Sequence, residues 1–303
     1  MASIEVYVAA HKPIDFALPD YCRKIHVNAE STGQWEGYLH DNDSPDNISL
    51  KNPDYCELTA LYSMWRNCKA DIQGLFHYRR FISRMDKPEL EPYIILMGED
   101  VKRHSITEAN IVDALRDSDI ILCFPYYPYP ANALEDLKNF VYQDGIRIMC
   151  EVLLEYHPDY KASLDYVLAS QHISYCNMFI ARREFVDEYC RWLFELLYET
   201  ERRINNSGYD ASNKRIYGYF SEVLLNVYIH RHNLRPKYFM MILLHQKRVL
   251  RYKLHRVKMM LKKIPGFMKL MYSLHLVDEV VARRYASMKK FLSRLSSQTG
   301  NYR

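Results

Sequence analysis

The sequence predicts an α/β fold in which a largely parallel sheet is flanked by helices. Two observations lead to this class: short apolar runs typical of buried strands recur along the chain, and segments with helical spacing of apolar residues lie between them. No internal repeat interrupts this alternation. The predicted strands are Ile4–Ala10, a strand within Asp71–Ile82, Asp119–Phe124 and Tyr175–Ala181.

The first strand, IEVYVAA, is short, apolar and rich in β-formers, which suits a strand buried inside a parallel sheet. Pro13 follows closely and ends it. Residues 28–49 are rich in Asn, Asp, Gly and Ser, so they are expected to form a loop. Residues 83–105 are also expected to be irregular, and the tract PYYPYP at 125–130 is predicted to be a proline-punctuated loop.

The first long helix is predicted to begin at Asn52-Pro53, an N-cap residue followed by proline at the first helical position, and to continue through CELTALYSMWRNC. Its apolar face would contain Leu58, Leu61, Tyr62 and Trp65. Apolar spacing of three or four residues predicts the other helices. They are Thr107–Asp117, segments of 132–170 broken at His157-Pro158, Arg183 to about Ile204, and about Tyr219–His230.

Cysteine usage argues against an extracellular framework. The seven cysteines are an odd number, they are scattered, and no CxxC pair occurs, so neither a disulfide scaffold nor a zinc knuckle is indicated. Free thiols suit a reducing compartment. The N-terminal MASIEVYVAAHK also lacks the pattern of a signal peptide. The expected location is therefore the cytoplasm.

Charge divides the chain into two predicted units. Residues 235–303 contain 17 Lys and Arg but two acids, Asp278 and Glu279, whereas residues 1–234 are acidic overall. We therefore predict a body at 1–234 and a basic helical appendage at 235–303 that contacts the inner face of the membrane. Two alternatives for the appendage are packing on an acidic partner or on the body, and nonspecific nucleic-acid binding.

Polar side chains follow the predicted strands at the points where each strand ends. They are His11 and Lys12, then His77, Arg79 and Arg80, and then Asn177. In open α/β sheets ligands bind beyond the carboxyl ends of the strands, and arginine forks suit phosphate. The alternative is an ordinary solvated surface, because exposed arginines are common. The sequence contains neither a GxxxxGK[ST] loop nor a GxGxxG fingerprint.

Four acidic residues are candidates for chemistry. Glu222 stands near the start of an apolar helix, where a raised pKa would suit a general base; the alternative is a stabilising contact with the helix dipole. Glu57 is predicted in the first turn of its helix, where acids are common for structural reasons. Asp41 and Asp43 form a DxD that could chelate a divalent ion, although so short a motif often arises by chance.

Five further stretches stand out: DNISLKNPDYCELTALYSMWRN, DIQGLFHYRRF, DIILCFPYY, YCNMFIARREFVDEYCRWLFELL and RIYGYFSEVLLNVYI. Together they resemble a bacterial family of capsular and exopolysaccharide biosynthesis glycosyltransferases, long catalogued as a domain of unknown function. The resemblance covers about residues 4–232. It implies a GT-A-like, Rossmann-type fold with a mixed, mostly parallel sheet, and transfer of galactose or galactofuranose from a UDP-sugar to a cell-surface polysaccharide or lipid-linked acceptor.

The resemblance also implies roles for particular residues. Ala10, His11 and Lys12 would bind the nucleotide, and Asn177 and Met178 would line the acceptor side. Glu222 would be the base of an inverting reaction, although Val223 stands where the family often has Arg. Asn47, Ser49, Asn52 and Glu57 would bind the donor, with a structural loop and cap as the alternative.

His77, Arg79 and Arg80 stand where GT-A enzymes usually carry metal-binding acids, so these cations are expected to stabilise the departing diphosphate in place of a metal ion. A divalent ion, Mn²⁺ or Mg²⁺ at Asp41 and Asp43, is the weaker expectation. Two competing functions are a noncatalytic partner in polysaccharide assembly and a nucleic-acid-binding protein acting through the tail. The second is disfavoured because the body contains no recognised nucleic-acid motif, and no nucleic-acid partner is expected.

Overall fold

The computed structural model describes residues 2–87, 93–125, 132–206 and 215–244. The strands are β1 Ile4–Ala10, β2 Cys22–His26, β3 Leu39–His40, β4 Ile72–His77, β5 Arg80–Ile82, β6 Tyr93–Leu96, β7 Ile120–Cys123, β8 Phe179–Arg182, β9 Pro236–Phe239 and β10 Met241–Leu244. The helices are α1 Ala29–Thr32, α2 Asn52–Tyr55, α3 Leu58–Asn67, α4 Val101–His104, α5 Glu108–Asp117, α6 Ala133–Lys138, α7 Gln143–Tyr156, α8 Lys161–Ala169, α9 Arg183–Asn206 and α10 Ile216–Arg231.

One mixed sheet organises these elements. Its main path is β3-β2-β1-β4-β5-β10-β6, and β8 joins β4 to β7, which pairs in turn with β9. Among the described strands five pairings are parallel and four are antiparallel. The predicted class, a mixed and mostly parallel sheet with flanking helices, is confirmed.

The two faces of the sheet carry separate hydrophobic clusters. Along β1, Tyr7 and Ala9 belong to one cluster, whereas Val6 and Val8 belong to the other. This alternation is expected because successive side chains of a strand point to opposite faces. The helices α3, α7, α9 and α10 cover the face of Tyr7, so β1 is buried on both sides, as predicted.

The sheet leaves no room for a side chain at Gly74 in β4. A Cβ there would lie 2.7 Å from the Phe179 carbonyl oxygen and 2.9 Å from Ile180 Cγ1. Strand β4 pairs with β1 on one side and β8 on the other. The glycine therefore permits the close approach of strands at the centre of the sheet, next to the end that carries His77.

The helix predicted from Asn52 through Cys68 is two helices. Cys56 adopts a positive φ of 53°, which ends α2, and α3 starts two residues later. The Asn52 side chain donates to the Cys56 carbonyl at 2.7 Å, so it stabilises this break and does not serve as the predicted N-cap. Glu57 consequently stands at the N-cap position of α3.

The stretch GLFHYRRF is a tight hairpin. Strand β4 ends at His77, β5 begins at Arg80, and these two residues are direct antiparallel partners across the turn formed by Tyr78 and Arg79. The sequence pattern predicted a strand here but not its reversal, because no Gly, Asn or Pro marks the turn.

Other predicted loops contain regular structure. The region 28–49 includes α1 and β3, and the region 83–105 includes β6 and α4. By contrast, α5 is confirmed, since Thr107 caps it through a reciprocal capping box with Asn110. The interruption at His157-Pro158 is also observed between α7 and α8.

The start of the predicted basic appendage belongs to the sheet. Residues 236–239 form β9 beside β7, and residues 241–244 form β10 between β5 and β6, so the assignment of this part to a helical tail is wrong. Its apolar run suits strands buried in a sheet. The remainder, 245–303, lies outside the described residues. Among the residues that are described, no helix is both long and apolar enough to cross a membrane.

Candidate active site

The carboxyl ends of β1 and β4 lie side by side because the strands are parallel, with Ala9 paired to His77. His11 Nε2 lies 3.2 Å from the Tyr78 hydroxyl, and the Arg79 guanidinium lies 4.9 Å from the centre of the Tyr78 ring. Burial and the nearby charges of Lys12 and Arg79 lower the pKa of His11. The polar groups that follow β1 and β4 in the sequence therefore lie close together in the structure.

An unusual turn precedes β8 and joins two of the predicted site residues. Cys176 and Asn177 both have positive φ angles, 77° and 50°, so β8 starts later than predicted. His77 Nε2 donates to the Cys176 carbonyl at 2.6 Å, and the Cys176 N–H donates to Glu222 Oε1 at 3.1 Å. Strained backbone of this kind often occurs at functional sites.

Glu57 is the third member of this cluster. Its Oε1 accepts a hydrogen bond from Asn177 Nδ2 at 2.7 Å and lies 3.7 Å from His77 Nε2. Asn177 Nδ2 also donates to the Gly218 carbonyl at 3.1 Å. Within the described ranges Asn177 Oδ1 is buried without a hydrogen-bond partner. Glu57 and Asn177 thus connect α3 and the β8 turn to the first turn of α10.

The surroundings of Glu222 raise the pKa of its carboxyl group. Burial, and then the repulsion of Glu57, raise the pKa of Glu222 to about 8, while Arg80 and the Cys176 N–H oppose the rise. Its carboxyl group is therefore mostly protonated at neutral pH and titrates close to it. Burial lowers the pKa of His77, so its imidazole is neutral when it donates from Nε2.

The two arginines of the hairpin have different surroundings. Arg80 is half-buried, and its charge influences the pKa values of both Glu222 and His77, whereas Arg79 is exposed beside Tyr78. Neither arginine forms an ion pair with any described residue. Positive charge is therefore available at the strand ends.

Sequence reasoning missed Arg215, which directly precedes α10 and has a positive φ of 72°. Its Nε donates to Cys56 Sγ at 3.3 Å, and its guanidinium lies 5.5 Å from the Tyr219 ring centre. Burial raises the pKa of the Cys56 thiol to about 12, so the thiol is uncharged and leaves the positive charge of Arg215 unneutralised. The charge of Arg215 also opposes the rise in the pKa of Glu222.

Gly218 is a second missed residue. A Cβ at this position would lie 3.3 Å from Cys56 Sγ, so the glycine lets α10 approach the break between α2 and α3. An isolated glycine within an otherwise apolar helix is a recognisable sign of such close packing. The approach brings Glu57 on α3 and Glu222 on α10 to the same cluster.

Two residues predicted to contact ligands have side chains in the protein interior. Met178 is 1% exposed and packs in the hydrophobic cluster on the face opposite Tyr7, and Ala10 is fully buried in the same cluster. The assignment of Met178 to an acceptor-lining role is not supported by this position, because its side chain has no exposed surface to offer.

The two aspartates of the DxD motif form hydrogen bonds within their own loop region. Asp41 accepts from the backbone N–H groups of Asn28 and Ala29 at 2.8 and 3.1 Å and from Ser49 Oγ at 2.6 Å. Asp43 accepts from the backbone N–H of His40 at 2.7 Å and lies 3.1 Å from its ring Nδ1. These contacts occupy the carboxylates, and no group of metal-ligating side chains occurs among the described residues. The pair does not fit a metal site.

The remaining predicted donor ligands are also bonded locally. Asn47 accepts from the Ser49 N–H at 3.1 Å and donates to the Ser44 carbonyl at 2.8 Å. Ser49 is fully buried, and Asn52 donates to Cys56 and Thr59. This favours the structural alternative for Asn47, Ser49 and Asn52, and leaves Glu57 as the member of that group that lies in the cluster.

The sequence and the fold were compared with those of known proteins. Residues 5–233 match the family described as a domain of unknown function, DUF4422. No curated protein matches the chain. Among solved structures, the apo form of the bifunctional glycosyltransferase WbbM matches with a TM-score of 0.73 and 26% sequence identity.

The WbbM match covers 80% of this chain and 46% of WbbM, so the chain spans less than half the length of that enzyme. The likeness supports a fold like that of a glycosyltransferase. Because the family match extends over most of the sequence, this protein belongs to the DUF4422 family, as the resemblance of its five stretches predicted.

Proposed function

We propose that the protein is a glycosyltransferase that moves a sugar from a nucleotide-diphosphate donor to a hydroxyl group of a glycan acceptor. The observation that carries the proposal is the position of Glu222, a carboxyl group with a pKa raised to about 8 beside cationic groups at the ends of β1 and β4. The fold likeness to WbbM, a bifunctional glycosyltransferase, supports the same reaction class.

In the proposed reaction Glu222 acts as the general base. The acceptor oxygen forms a bond to the anomeric carbon while the bond between that carbon and the diphosphate oxygen breaks, and the acceptor proton passes to Glu222. The Cys176 N–H fixes Glu222 Oε1. A single displacement of this kind inverts the configuration of the anomeric carbon.

The diphosphate that leaves carries negative charge, and several cations stand near the strand ends to stabilise it. Arg80 and Arg215 both influence Glu222, while Lys12 and Arg79 influence His11. Preorganised positive groups lower the barrier when they face charge that develops in the transition state. We propose that these side chains perform the role that a divalent metal ion has in many related enzymes.

A chelation experiment tests the metal-free part of the proposal. Transfer measured with EDTA is expected to equal transfer without it, and added Mn²⁺ or Mg²⁺ is expected to change little. Loss of activity with EDTA and recovery with Mn²⁺ would contradict the role assigned to the cations.

The finer identity of the substrates is also proposed. The donor is a UDP-sugar carrying galactose or galactofuranose, and the acceptor is a growing cell-surface polysaccharide or a lipid-linked glycan. A thermal-shift screen of the full chain with UDP, GDP, CMP and dTDP tests the nucleotide, because a ligand that binds only the folded state raises the melting temperature. The largest rise is expected with UDP.

Replacement of Glu222 tests the base directly. Glu222→Gln keeps the size of the side chain but cannot accept the proton, so transfer is expected to fall by roughly 10²- to 10⁴-fold. Glu195→Gln, at an exposed position of α9, is the matched control and should retain activity. Equal transfer by both variants would remove Glu222 from the mechanism.

We further propose that the basic residues beyond Leu244 hold the protein at an anionic membrane surface, where lipid-linked acceptors reside. Because β9 and β10 belong to the sheet, a truncated chain should end after Leu244 and not at 234. The full chain is expected to float with vesicles containing phosphatidylglycerol, and the truncated chain is not. Equal behaviour of the two chains would refute the membrane role.

A further inference from the structure

We propose that Phe140 and Tyr219 form a stacking platform for a sugar ring of the acceptor. This inference rests on the proposed function and extends it, since it names the acceptor subsite next to Glu222. The two rings stack with their centres 4.8 Å apart and their planes 19° apart, and Phe140 is 45% exposed.

Phe140 is held at the surface by a hydrogen-bonded turn whose neighbouring side chains are buried. The ring follows α6, where the Phe140 N–H donates to the Leu137 carbonyl at 3.0 Å and the Val141 N–H donates to the same carbonyl at 2.9 Å. Leu137 and Val141 are both buried, with 4% and 3% of their surface exposed. The turn therefore holds a large apolar ring at the surface against the hydrophobic tendency to bury it.

The platform lies beside the proposed base. Tyr219 stands three residues before Glu222 on α10, and side chains with this spacing lie on the same helix face, roughly 5–6 Å apart at Cβ. The Glu222 carboxylate also contributes to the raised pKa of Tyr219, after burial and against the opposing charge of Arg215. A sugar ring stacked here could therefore place one hydroxyl at Glu222.

The chemistry of the surface suits a carbohydrate. A pyranose has one face of C–H groups, which packs on an aromatic ring, and an edge of hydroxyls, which needs hydrogen-bond partners. The Arg215 guanidinium lies over the Tyr219 ring, 5.5 Å from its centre, and supplies donors for sugar hydroxyls. We assign the acceptor sugar, and not the donor nucleobase, because the group that Glu222 deprotonates belongs to the acceptor.

The same helix offers a matched control pair. Tyr166 is 60% exposed and stacks on His230 with the ring centres 4.2 Å apart and the planes 23° apart. His230 lies eight residues after Glu222 on α10, roughly 12 Å along the helix axis. This pair has similar exposure and geometry but is distant from the base.

Saturation-transfer NMR on the full chain in the presence of UDP tests binding without requiring turnover. The probes are methyl β-galactopyranoside, methyl α-glucopyranoside and methyl α-mannopyranoside. We expect signals from the ring C–H protons of at least one probe with the wild type, with Tyr166→Ala and with Phe140→Tyr, and loss of those signals with Phe140→Ala. Absence of signal from all three probes with the wild type, or signals that Phe140→Ala leaves intact, would overturn the platform.

Steady-state kinetics separate the acceptor from the nucleobase. Phe140→Ala should raise the acceptor KM by about 3- to 10-fold, the scale of one aromatic contact, with the donor KM unchanged. A rise confined to the donor KM would assign the platform to the nucleobase and contradict the proposal. An unchanged melting temperature establishes that Phe140→Ala is folded.

The two proposals can fail separately. If Phe140-dependent glycoside signals occur but no nucleotide-sugar supports transfer, the proposed transferase function is wrong and the protein binds sugars without reaction. If Glu222→Gln abolishes transfer but Phe140→Ala changes neither the signals nor the acceptor KM, the transferase function stands and the platform does not.

Discussion

The loop around Asp41 and the cluster around Glu222 both contain carboxyl groups removed from solvent, but they satisfy them differently. Asp41 is 1% exposed and its oxygens accept from three protein donors in the same loop. Glu222 accepts one backbone N–H and lies under the repulsion of Glu57. The comparison indicates that a carboxylate fully bonded within its own loop is structural, whereas one left short of donors retains capacity for chemistry.

After the loss of transfer expected for Glu222→Gln, the next largest expected effect distinguishes the two arginines of the hairpin, Arg79 and Arg80. Arg80→Ala should lower kcat by roughly 10²-fold or more, because the half-buried Arg80 influences the pKa of Glu222 and, in the proposed mechanism, stabilises the developing charge. Arg79→Ala, at the exposed turn, should have a smaller effect. Single-turnover rates for both variants check this order, and a larger loss with Arg79→Ala would reverse the assignment.

The variant Asp41→Asn tests whether Asp41 has a structural role. The amide keeps the shape but weakens two charge-assisted hydrogen bonds to backbone N–H groups and one to Ser49, so the free energy of unfolding should fall by about 2–3 kcal/mol. Chemical denaturation measures this. The folded fraction should still catalyse transfer. If the variant lost transfer but kept the stability of the wild type, Asp41 would again be a candidate metal ligand.

Glu222→Gln is expected to have the opposite effect on stability. The pKa of Glu222 rises from 4.5 to about 8 on folding, so its contribution is fully present below pH 4.5 and is lost as the pH rises through 8. Gln does not titrate and escapes this loss. The variant should therefore melt several degrees above the wild type at pH 8.5, with a smaller difference at pH 5. A lower melting temperature for the variant at both pH values would contradict the burial of this carboxyl group.

The smallest expected effect is a shift of the pH profile. The wild-type kcat/KM should rise with pH around 8, as Glu222 loses its proton. Because Glu57 contributes to the raised pKa, Glu57→Gln should move the midpoint of this rise to lower pH, and the retained side-chain oxygen can still accept from Asn177. A midpoint that stays in place would mean that Glu57 does not act on Glu222.

Part of the site was predictable because it depends on local sequence and on a general property of parallel sheets. The run IEVYVAA and the apolar part of GLFHYRRF identified two strands, and their parallel pairing in the structure brings His11 beside the hairpin. Glu222 was identifiable because it interrupts an apolar helix. These inferences need the period of a strand or helix and no knowledge of distant contacts.

The rest depends on contacts that no local pattern encodes. Asn177 donates a hydrogen bond to Glu57, which is 120 positions away in the sequence. Cys176 and Asn177 have positive φ angles although neither residue is a glycine, so no glycine marks this turn in the sequence. The role of Arg215 depends on the distant Cys56. The basic composition after position 234 predicts a helical tail, whereas strands β9 and β10 depend on pairing with distant strands of the sheet.

The position of β10 has a consequence for the order in which the protein can be made. Leu243 pairs with Arg80, and β10 is the element that joins β5 to β6. During synthesis from the N-terminus, Arg80 is made more than half a chain before its neighbour arrives. A ribosome-bound chain that stops short of Met241 would therefore carry the acidic residues Glu57 and Glu222 but would lack the strand that fixes their cationic counterpart.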